Sequence, residues 1–453
     1  MRRHTLGIRS AFWCSLLIHL VQSATAAAPL SVPWQGYWTG SVRHLDKRWA
    51  LNLRVAPLGE SVHVCMDFPD FGLYMRCADV AASDRGGFML TYTSGRDTVK
   101  VVVRVDGEEM AGTWSGLGVE GTVSLRRETD PTNPITEEEV GFSNSTATLH
   151  GTLLLPKVAG PVPAVVWIHG SGKQTRNEDF YRDRGYLLAL HGVASLIFDK
   201  RGTGQSTADN EPTLEDLAQD VRSALEMLRA RRDICAVGVA GFSQGGYVAP
   251  MIAATDPRLA FVAVGSAAGV SPREQNDFAV ANDLRRKGFG EKTVERVLAL
   301  RARVDEARRA SSPDPELGQA LDAASREPWV GLRDLPKPPL DPYTRGMLGV
   351  LDFAPLDRWR EVRAPVLAVW GESDHVVPAA QSRDLIEKAL HDANNRDVVM
   401  RTFPSAGHGF LLPDPKDSWD WPRLAPGFHE LLVQWVAQHG QEACRTLRPD
   451  RPR

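Results

Sequence analysis

The chain has 453 residues, and its 53 Lys and Arg residues nearly balance its 56 Asp and Glu residues, giving a formal net charge of −3. A hydrophobic content of 43% and a charged content of 24% are ordinary for a globular protein, and the length predicts roughly two to four domains. This composition excludes a wholly disordered, collagen-like or disulfide-scaffold chain. The near-neutral charge also excludes the usual electrostatic footprint of a nucleic-acid-binding protein.

The N-terminus, residues 1–26, predicts a signal peptide. Three arginines lie within the first nine residues, a largely apolar run over residues 11–21 follows, and residues 24–26 (ATA) offer a cleavage site. The apolar run is short for a transmembrane helix, and no other long uncharged apolar segment follows it. We therefore expect a secreted or periplasmic protein without stable membrane insertion after cleavage. An uncleaved anchor is the alternative.

Four cysteines follow the predicted signal peptide: Cys65, Cys77, Cys235 and Cys444. An oxidising compartment permits disulfides between them. Cys65 and Cys77 flank a predicted turn, so this pairing is favoured, and buried free thiols are the alternative. The cysteines and histidines do not have the spacing of a zinc site, so no metal is expected.

Residues 29–128 predict a small all-β domain. Valines recur at every second position over residues 99–105, and an Asp-Gly pair directly afterwards predicts a hairpin turn. Similar Trp-x-Gly sequences begin at Trp38 and Trp114, which indicates that the first and last strands meet in a small barrel or sandwich. We expect the tryptophans in the core. Exposed tryptophans would instead indicate a carbohydrate-binding module.

The sequence changes after a linker at residues 129–136 (TDPTNPIT). Short apolar runs typical of buried strands then alternate with helical segments over residues 137–437. The runs are residues 152–155, 164–168, 194–198, 236–240, 261–264, 366–370 and 398–403. This alternation predicts a mostly parallel sheet with helices on both faces.

The segment 271–357 interrupts this alternation with a charge-rich helical stretch and proline-rich loops. We interpret it as a mobile helical cap, and a separate domain is the alternative. Residues 438–453 are expected to form a C-terminal tail.

The sequence GFSQG at residues 241–245 follows a predicted buried strand and precedes a predicted helix. This is the pattern of a nucleophile elbow, in which small residues permit a tight turn and the serine projects from the carboxyl edge of the sheet. Ser243 is therefore the candidate nucleophile. The N-terminus of the helix that follows favours developing negative charge.

A serine is a poor nucleophile unless a base, held by a third group, removes its proton. His408 lies in a loop of small residues after the last predicted strand, and it is the candidate base. Asp374 lies just past the end of the predicted strand at 366–370 and is the candidate acid that orients His408. Glu372 is the alternative acid.

A tetrahedral oxyanion needs two backbone N–H donors. The N–H of Gln244, directly after the nucleophile, is one candidate. The loop 169–172 (HGSG) follows an early strand and offers the N–H of Ser171 as the other, with Gly172 as the alternative. We expect His169 to form a structural hydrogen bond rather than to act as a base.

Five segments together resemble the α/β-hydrolase superfamily: GFSQGG, HGSG, FDKRGTGQS, GESDHVVP and AGHGF. The similarity covers roughly residues 137–437. Within the superfamily, the segments particularly resemble exported bacterial esterases and the serine-aminopeptidase-like or prolyl-oligopeptidase-like branches. It implies an eight-stranded, mostly parallel sheet and hydrolysis of an ester or amide through an acyl-enzyme, without cofactor or metal. The order Ser243, Asp374, His408 matches that of the superfamily.

This fold also implies a second disulfide. Cys235 precedes the elbow strand and so would lie at the amino edge of the sheet. The final helix, predicted at residues 427–439, would return to that edge and bring Cys444 near Cys235. The glycine spacing of the FDKRGTGQS segment fits no phosphate-binding loop, so we interpret residues 199–206 as a rigid turn that shapes the site.

These features predict a secreted serine hydrolase that cleaves carboxylic esters of a small-molecule or acylated substrate. A serine peptidase or aminopeptidase with the same three residues is the alternative. A glycan- or envelope-binding protein with an idle hydrolase fold is a second alternative. No nucleic-acid partner is expected, and the sequence predicts no particular oligomeric state.

Overall fold

The computed structural model describes most of the chain after the predicted signal peptide. The described residues are 34–58, 61–71, 73–83, 87–94, 97–116, 118–128, 135–208, 212–310, 315–330, 350–413 and 423–446. The signal peptide predicted at 1–26 and most of the linker predicted at 129–136 lie outside them. Within these ranges, no helix has both the length and the apolar character needed to cross a membrane.

The N-terminal part forms a closed barrel of eight antiparallel strands, in which each strand pairs with the next and the first pairs with the eighth. The strands are β1 (Gly36–His44), β2 (Lys47–Leu58), β3 (Ser61–Phe68), β4 (Leu73–Ser83), β5 (Gly87–Ser94), β6 (Asp97–Asp106), β7 (Glu109–Gly116) and β8 (Val119–Glu128). A short 3₁₀ turn, Pro69–Phe71, joins β3 to β4. The second Trp-x-Gly sequence lies in β7 rather than in the last strand, because one further hairpin supplies the strand that closes the barrel.

Alternate side chains of the barrel strands point inward and fill its core. The valines at 99, 101 and 103 belong to this core, as the two-residue period predicts. Trp38, Trp49 and Trp114 are buried, with relative exposures of 0%, 9% and 3%. These three tryptophans therefore stabilise the barrel from inside and offer no exposed platform for a sugar ring.

The rest of the described chain is built around a nine-stranded sheet, one strand more than the resemblance implied. Its strands are β9 (Ile135–Ser143), β10 (Ala147–Pro156), β11 (Val162–Ile168), β12 (Ala194–Phe198), β13 (Thr207–Ala208), β14 (Ile234–Phe242), β15 (Val262–Gly265), β16 (Val366–Gly371) and β17 (Val398–Phe403). Six of them run parallel, in the order β12, β11, β14, β15, β16, β17. β10 pairs antiparallel with β9, β12 and β13.

Nine helices connect or flank these strands within the described residues. They are α1 (Asp179–Leu190), α2 (Leu214–Arg229), α3 (Gly245–Ala253), α4 (Pro272–Arg286), α5 (Glu291–Ala310), α6 (Pro315–Ala324), α7 (Pro355–Trp359), α8 (Ala379–Asp392) and α9 (Phe428–Thr446). The last helix continues past its predicted end at His439. The described part of the predicted tail, residues 438–446, is therefore helical, because Val436 and Ala443 keep the apolar face of the helix against the core.

The helices α4, α5 and α6 form the insertion between β15 and β16, where the cap was predicted. They pack around a hydrophobic cluster of their own, which includes Val280, Leu284, Val297, Leu321 and Trp329. The insertion also contacts the loop after β16. In α4, Gln275 Nε2 donates to the Val376 carbonyl oxygen at 2.8 Å, and Asn282 Nδ2 donates to the His375 carbonyl oxygen at 3.2 Å.

The barrel packs against α1 of the second part of the chain. Tyr92 Oη donates a 2.6 Å hydrogen bond to Asp179 at the first turn of the helix. Arg76 lies 3.6 Å from the carboxylate of Asp183, which is completely buried. Burial raises the pKa of Asp183 to about 7, against the opposing effect of Arg184. Residues 181–189 of α1 are all buried, so the helix is enclosed between the barrel and the sheet.

Two disulfides join the four cysteines. Cys65 and Cys77 face each other across β3 and β4 and are bonded. Cys235, at the start of β14, is bonded to Cys444 in the last turn of α9, across 209 residues of sequence. The second bond fastens the final helix to the central strand of the sheet.

We expect the double variant Cys235→Ser/Cys444→Ser to fold with reduced stability. A disulfide that closes a long loop restricts the unfolded chain, and its removal costs about 2–4 kcal/mol in free energy of unfolding. Urea denaturation of the variant and of the wild type measures the difference. Mass spectrometry of unreduced wild-type peptides should find the two segments cross-linked, and free thiols at both positions would contradict the assignment.

Candidate active site

Ser243 lies at the turn between β14 and α3, at the carboxyl edge of the parallel strands. Its φ angle is +54°, a left-handed conformation that a serine adopts only under constraint from its surroundings. The constraint comes from neighbouring backbone. A side chain at Gly245 would come within 2.5 Å of the Ile168 carbonyl oxygen, and one at Gly241 would collide with the carbonyl of Gly245. The two glycines of the motif are therefore required by the tightness of the turn.

The three candidate residues from separate loops lie within hydrogen-bond distance of one another. His408 Nε2 lies 3.0 Å from Ser243 Oγ. His408 Nδ1 lies 2.8 Å from Asp374 Oδ2. Because β14, β16 and β17 run parallel, their carboxyl ends place these three loops at one edge of the sheet.

The carboxylate of Asp374 is held rigidly. Its other oxygen, Oδ1, accepts hydrogen bonds from the backbone N–H groups of Val376 and Val377, at 2.8 and 2.9 Å. The side chain has no exposed surface. Glu372, the alternative acid, is exposed and accepts a hydrogen bond from the Ser405 N–H instead. Asp374 rather than Glu372 is thus the carboxylate beside His408.

The loop that carries His408 is fixed by a residue that the sequence analysis did not identify. Ser266, directly after β15, donates a 2.8 Å hydrogen bond from its hydroxyl to the His408 carbonyl oxygen. Ser266 is completely buried and also has a positive φ angle. A polar residue at the carboxyl end of a buried apolar strand was the available signal, because such a residue needs a partner nearby.

The loop 169–172 lies beside the nucleophile, as the oxyanion prediction requires. A side chain at Gly170 would lie 3.6 Å from Cβ of Ser243. The Gly170 N–H donates to Tyr181 Oη at 2.8 Å, which ties the loop to α1. Among the described residues, none accepts a hydrogen bond from the backbone N–H of Ser171 or Gln244. The loop 169–172 thus lies next to Ser243, where the prediction requires it.

The turn 199–206 is held by buried charged side chains. Asp199 accepts hydrogen bonds from the N–H groups of Arg176 and Gln205, both at 2.9 Å. Arg201 binds the carboxylate of Asp220 with two hydrogen bonds, of 2.6 and 2.7 Å. Lys200 reaches the loop 169–172, a contact that the sequence analysis missed. Three consecutive charged residues after a buried strand were the available signal, since buried charges require partners.

The described residues contain one group of side chains that could be considered as metal ligands. Within the described residues, only His63, Cys65 and Cys77 bring three ligand atoms close enough together. Both sulfurs of this group belong to a disulfide, so they supply no thiolate.

His169 is buried next to the site, with its ring against Tyr181 and Phe198. Burial lowers the pKa of its imidazole to about 3, and the nearby Lys200 ammonium acts in the same direction. A residue that resists protonation to this extent does not serve as a base near neutral pH. This agrees with the structural role predicted from the sequence.

The low pKa of His169 predicts a pH dependence of stability. The unfolded chain takes up a proton on this histidine below about pH 6.5, whereas the folded protein does not, so the free energy of unfolding falls as the pH falls. We expect His169→Gln to remove the contribution of this histidine to the pH dependence of the free energy of unfolding. The stability difference between wild type and variant should shift by about 2 kcal/mol between pH 8 and pH 5, as measured by urea denaturation. Parallel pH profiles would contradict the prediction.

Comparison with known proteins finds one matching family and several relatives. A family model described as serine aminopeptidase, S33, matches residues 159–415, more than half of the chain. Esterase EstD of Thermotoga maritima is 28% identical over 173 residues, which are 37% of this chain and 41% of EstD. The uncharacterized protein Rv2307c of Mycobacterium tuberculosis is 29% identical over 224 residues, 49% of this chain and 56% of that protein. The matches thus span about half the length of these curated relatives.

Solved structures of low sequence identity are also similar. The Pyrococcus furiosus esterase Pf2001 has a TM-score of 0.45 at 15% identity, covering 68% of this chain and 92% of that one. The proline iminopeptidase of Mycobacterium smegmatis has a TM-score of 0.44 at 20% identity, covering 68% of this chain and all of that one.

Proposed function

The chain belongs to the serine aminopeptidase S33 family of α/β-hydrolases, and we propose that it is a serine hydrolase that cleaves carboxylic esters through an acyl-enzyme. One observation carries the proposal. The hydroxyl of Ser243, the imidazole of His408 and the carboxylate of Asp374 form a continuous series of short contacts, of 3.0 and 2.8 Å, at the carboxyl edge of the sheet.

This geometry suits nucleophilic catalysis. His408 Nδ1–H donates to Asp374, which leaves the lone pair of Nε2 directed at the Ser243 hydroxyl. Ser243 Oγ attacks the acyl carbon while His408 takes its proton, and the N–H groups of Ser171 and Gln244 bind the resulting oxyanion. His408 then protonates the departing alcohol. In the second half of the reaction it removes a proton from the water that hydrolyses the acyl-enzyme.

The choice of an ester over a peptide bond rests on weaker support. A curated relative, EstD, is named an esterase, and its similarity covers 37% of this chain. The description of the family names an aminopeptidase, so peptide hydrolysis by the same residues is the second candidate function. An amide nitrogen must be protonated as it leaves, whereas an alkoxide leaves with less assistance. The same His408 serves either reaction, so substrate assays must separate them.

A non-catalytic role in binding glycans or the cell envelope has less support. Exposed tryptophans on the barrel, or a site without its catalytic contacts, would favour that alternative. Trp38, Trp49 and Trp114 are buried, and the contacts of Ser243 are in place.

We propose a secreted or periplasmic location. The two disulfides, Cys65–Cys77 and Cys235–Cys444, support it, because such bonds persist in oxidising compartments. The substrate proposed is a small molecule or an acylated compound, with no cofactor or metal taking part.

Replacement of the nucleophile tests the proposal directly. We expect Ser243→Ala to lower kcat for p-nitrophenyl acetate by roughly 10³- to 10⁶-fold, because the acyl-enzyme cannot form. The assay uses the purified full chain and extends to esters and anilides that share one aminoacyl group. Near-wild-type turnover by the variant would contradict the proposal. A higher kcat/KM for the anilide than for its matched ester would favour the peptidase.

The two acidic residues after β16 provide a matched pair of variants. We expect Asp374→Asn to lower kcat by about 10²- to 10⁴-fold, because an amide at this position no longer stabilises the imidazolium of His408. Glu372→Gln removes a carboxylate two residues away that contacts only backbone in the described structure, and it should retain most activity. Steady-state kinetics with p-nitrophenyl acetate compare the two, and equal losses would show that the distinction is wrong.

A further inference from the structure

Lys200 occupies an unusual place for a lysine. It is the second residue after β12, its relative exposure is 5%, and its side chain reaches both the loop 169–172 and the turn that carries the nucleophile. Its Nζ donates hydrogen bonds to the Gly170 carbonyl oxygen at 2.7 Å, to the Gly172 carbonyl oxygen at 3.1 Å and to Gln244 Oε1 at 2.8 Å. An ammonium group has three N–H donors, and the described residues offer it these three oxygen acceptors.

The contact with Gly170 fixes the direction of one proposed oxyanion donor. The Gly170 carbonyl and the Ser171 N–H belong to the same peptide group, which is planar and trans, so they point in opposite directions. Because Lys200 holds the carbonyl, the Ser171 N–H is directed away from the ammonium. Gly170 itself lies against Ser243, since a side chain there would be 3.6 Å from Cβ of Ser243.

The same contact strengthens the donor. A cation that binds a carbonyl oxygen draws electron density from the peptide group, and hydrogen bonds arranged in series polarise one another. The Ser171 N–H therefore becomes a better donor to a developing negative charge. The Gly172 N–H belongs to the next peptide group, whose carbonyl is that of Ser171, whereas the Lys200 hydrogen bonds to this loop go to the carbonyls of Gly170 and Gly172. The arrangement thus distinguishes Ser171 from Gly172, the alternative donor.

The third contact joins this loop to the nucleophile turn. Gln244 carries the other proposed donor on its backbone, and its side-chain oxygen binds the same ammonium as the loop 169–172. The buried ammonium of Lys200 thereby connects the loop 169–172 to the turn at Gln244. The spacing of these two segments sets the distance between the two N–H groups that would bind an oxyanion.

From this arrangement we infer that Lys200 is a positioning residue for the oxyanion hole: it orients the Ser171 N–H and holds it in register with the Gln244 N–H. The inference rests on the proposed serine hydrolase function. Lys200 acts through its hydrogen bonds to Gly170, Gly172 and Gln244, and we expect it to stabilise the transition state more than the bound substrate.

The test compares Lys200→Met with Lys173→Met. The first variant removes the buried ammonium at similar length, and the second removes the same charge from an exposed position beside the loop. Active sites are first titrated with a fluorophosphonate that labels Ser243. For p-nitrophenyl acetate we expect Lys200→Met to lower kcat by about 10- to 100-fold with KM within about twofold, and Lys173→Met to change kcat by less than about threefold.

A transition-state analogue separates positioning from a general structural effect. A trifluoromethyl ketone forms a tetrahedral oxyanion on serine, so its inhibition constant should rise in Lys200→Met by the same factor by which kcat/KM falls. A loss of kcat/KM that comes through KM, or an unchanged inhibition constant, would overturn the inference. So would equal rates of fluorophosphonate labelling in wild type and Lys200→Met.

Two further outcomes are distinguished in the same experiment. Absence of labelling in the wild type would contradict the proposed function, and the inference with it. If Lys200→Met does not fold, Gln244→Ala decides. It keeps both backbone donors and removes only the link between them, and we expect kcat to fall about three- to tenfold at unchanged KM. Unchanged kcat in that variant would overturn the inference.

Discussion

The contact between His408 Nδ1 and Asp374 is the interaction on which the site depends. It fixes the tautomer and the orientation of the imidazole, and only that orientation directs Nε2 at the Ser243 hydroxyl. Asp374 can hold the ring because two backbone N–H groups and complete burial hold Asp374 in turn. The loop after β16 thus determines the geometry of the site. The parallel pairing of β14, β15 and β16 in turn determines the position of that loop.

The residues of the site could be predicted because each carries a local signal. Ser243, Asp374 and His408 all follow a short apolar run, and a parallel sheet brings the ends of such runs to one edge. The choice of Asp374 over Glu372 followed from position relative to the strand end. Lys200 was missed because a lysine in sequence looks like a solvated charge, and only its three acceptors in space reveal its role.

Two elements of the fold carry weak local signals in the sequence for physical reasons. The helix α1 is not amphipathic, because residues 181–189 are all buried and no face of this stretch is polar and exposed. The strand β9 contains three consecutive glutamates at 137–139 and was partly assigned to the linker. Each of these glutamates pairs with an arginine distant in sequence, at 2.8 or 2.9 Å. Local periodicity cannot anticipate partners of this kind, whereas it predicted the seven apolar strands of the sheet.

Buried polar contacts help to join the loops around the nucleophile. Lys200 and the Arg201–Asp220 pair each replace hydration lost on folding with directed hydrogen bonds. Such contacts are sensitive to angle as well as distance, whereas apolar side chains tolerate sliding. A site that must hold two N–H groups at a set spacing gains from this directionality.

The enclosure of α1 makes the second part of the chain depend on the barrel. A shortened polypeptide starting at β9 would leave the side of that helix that faces the barrel in water, and Asp183 would lose its contact with Arg76. Recombination that exchanged the barrel for an unrelated module would meet the same difficulty unless the helix changed with it. The barrel therefore completes the surroundings of α1, and a substitution at this contact in one part calls for a matching substitution in the other.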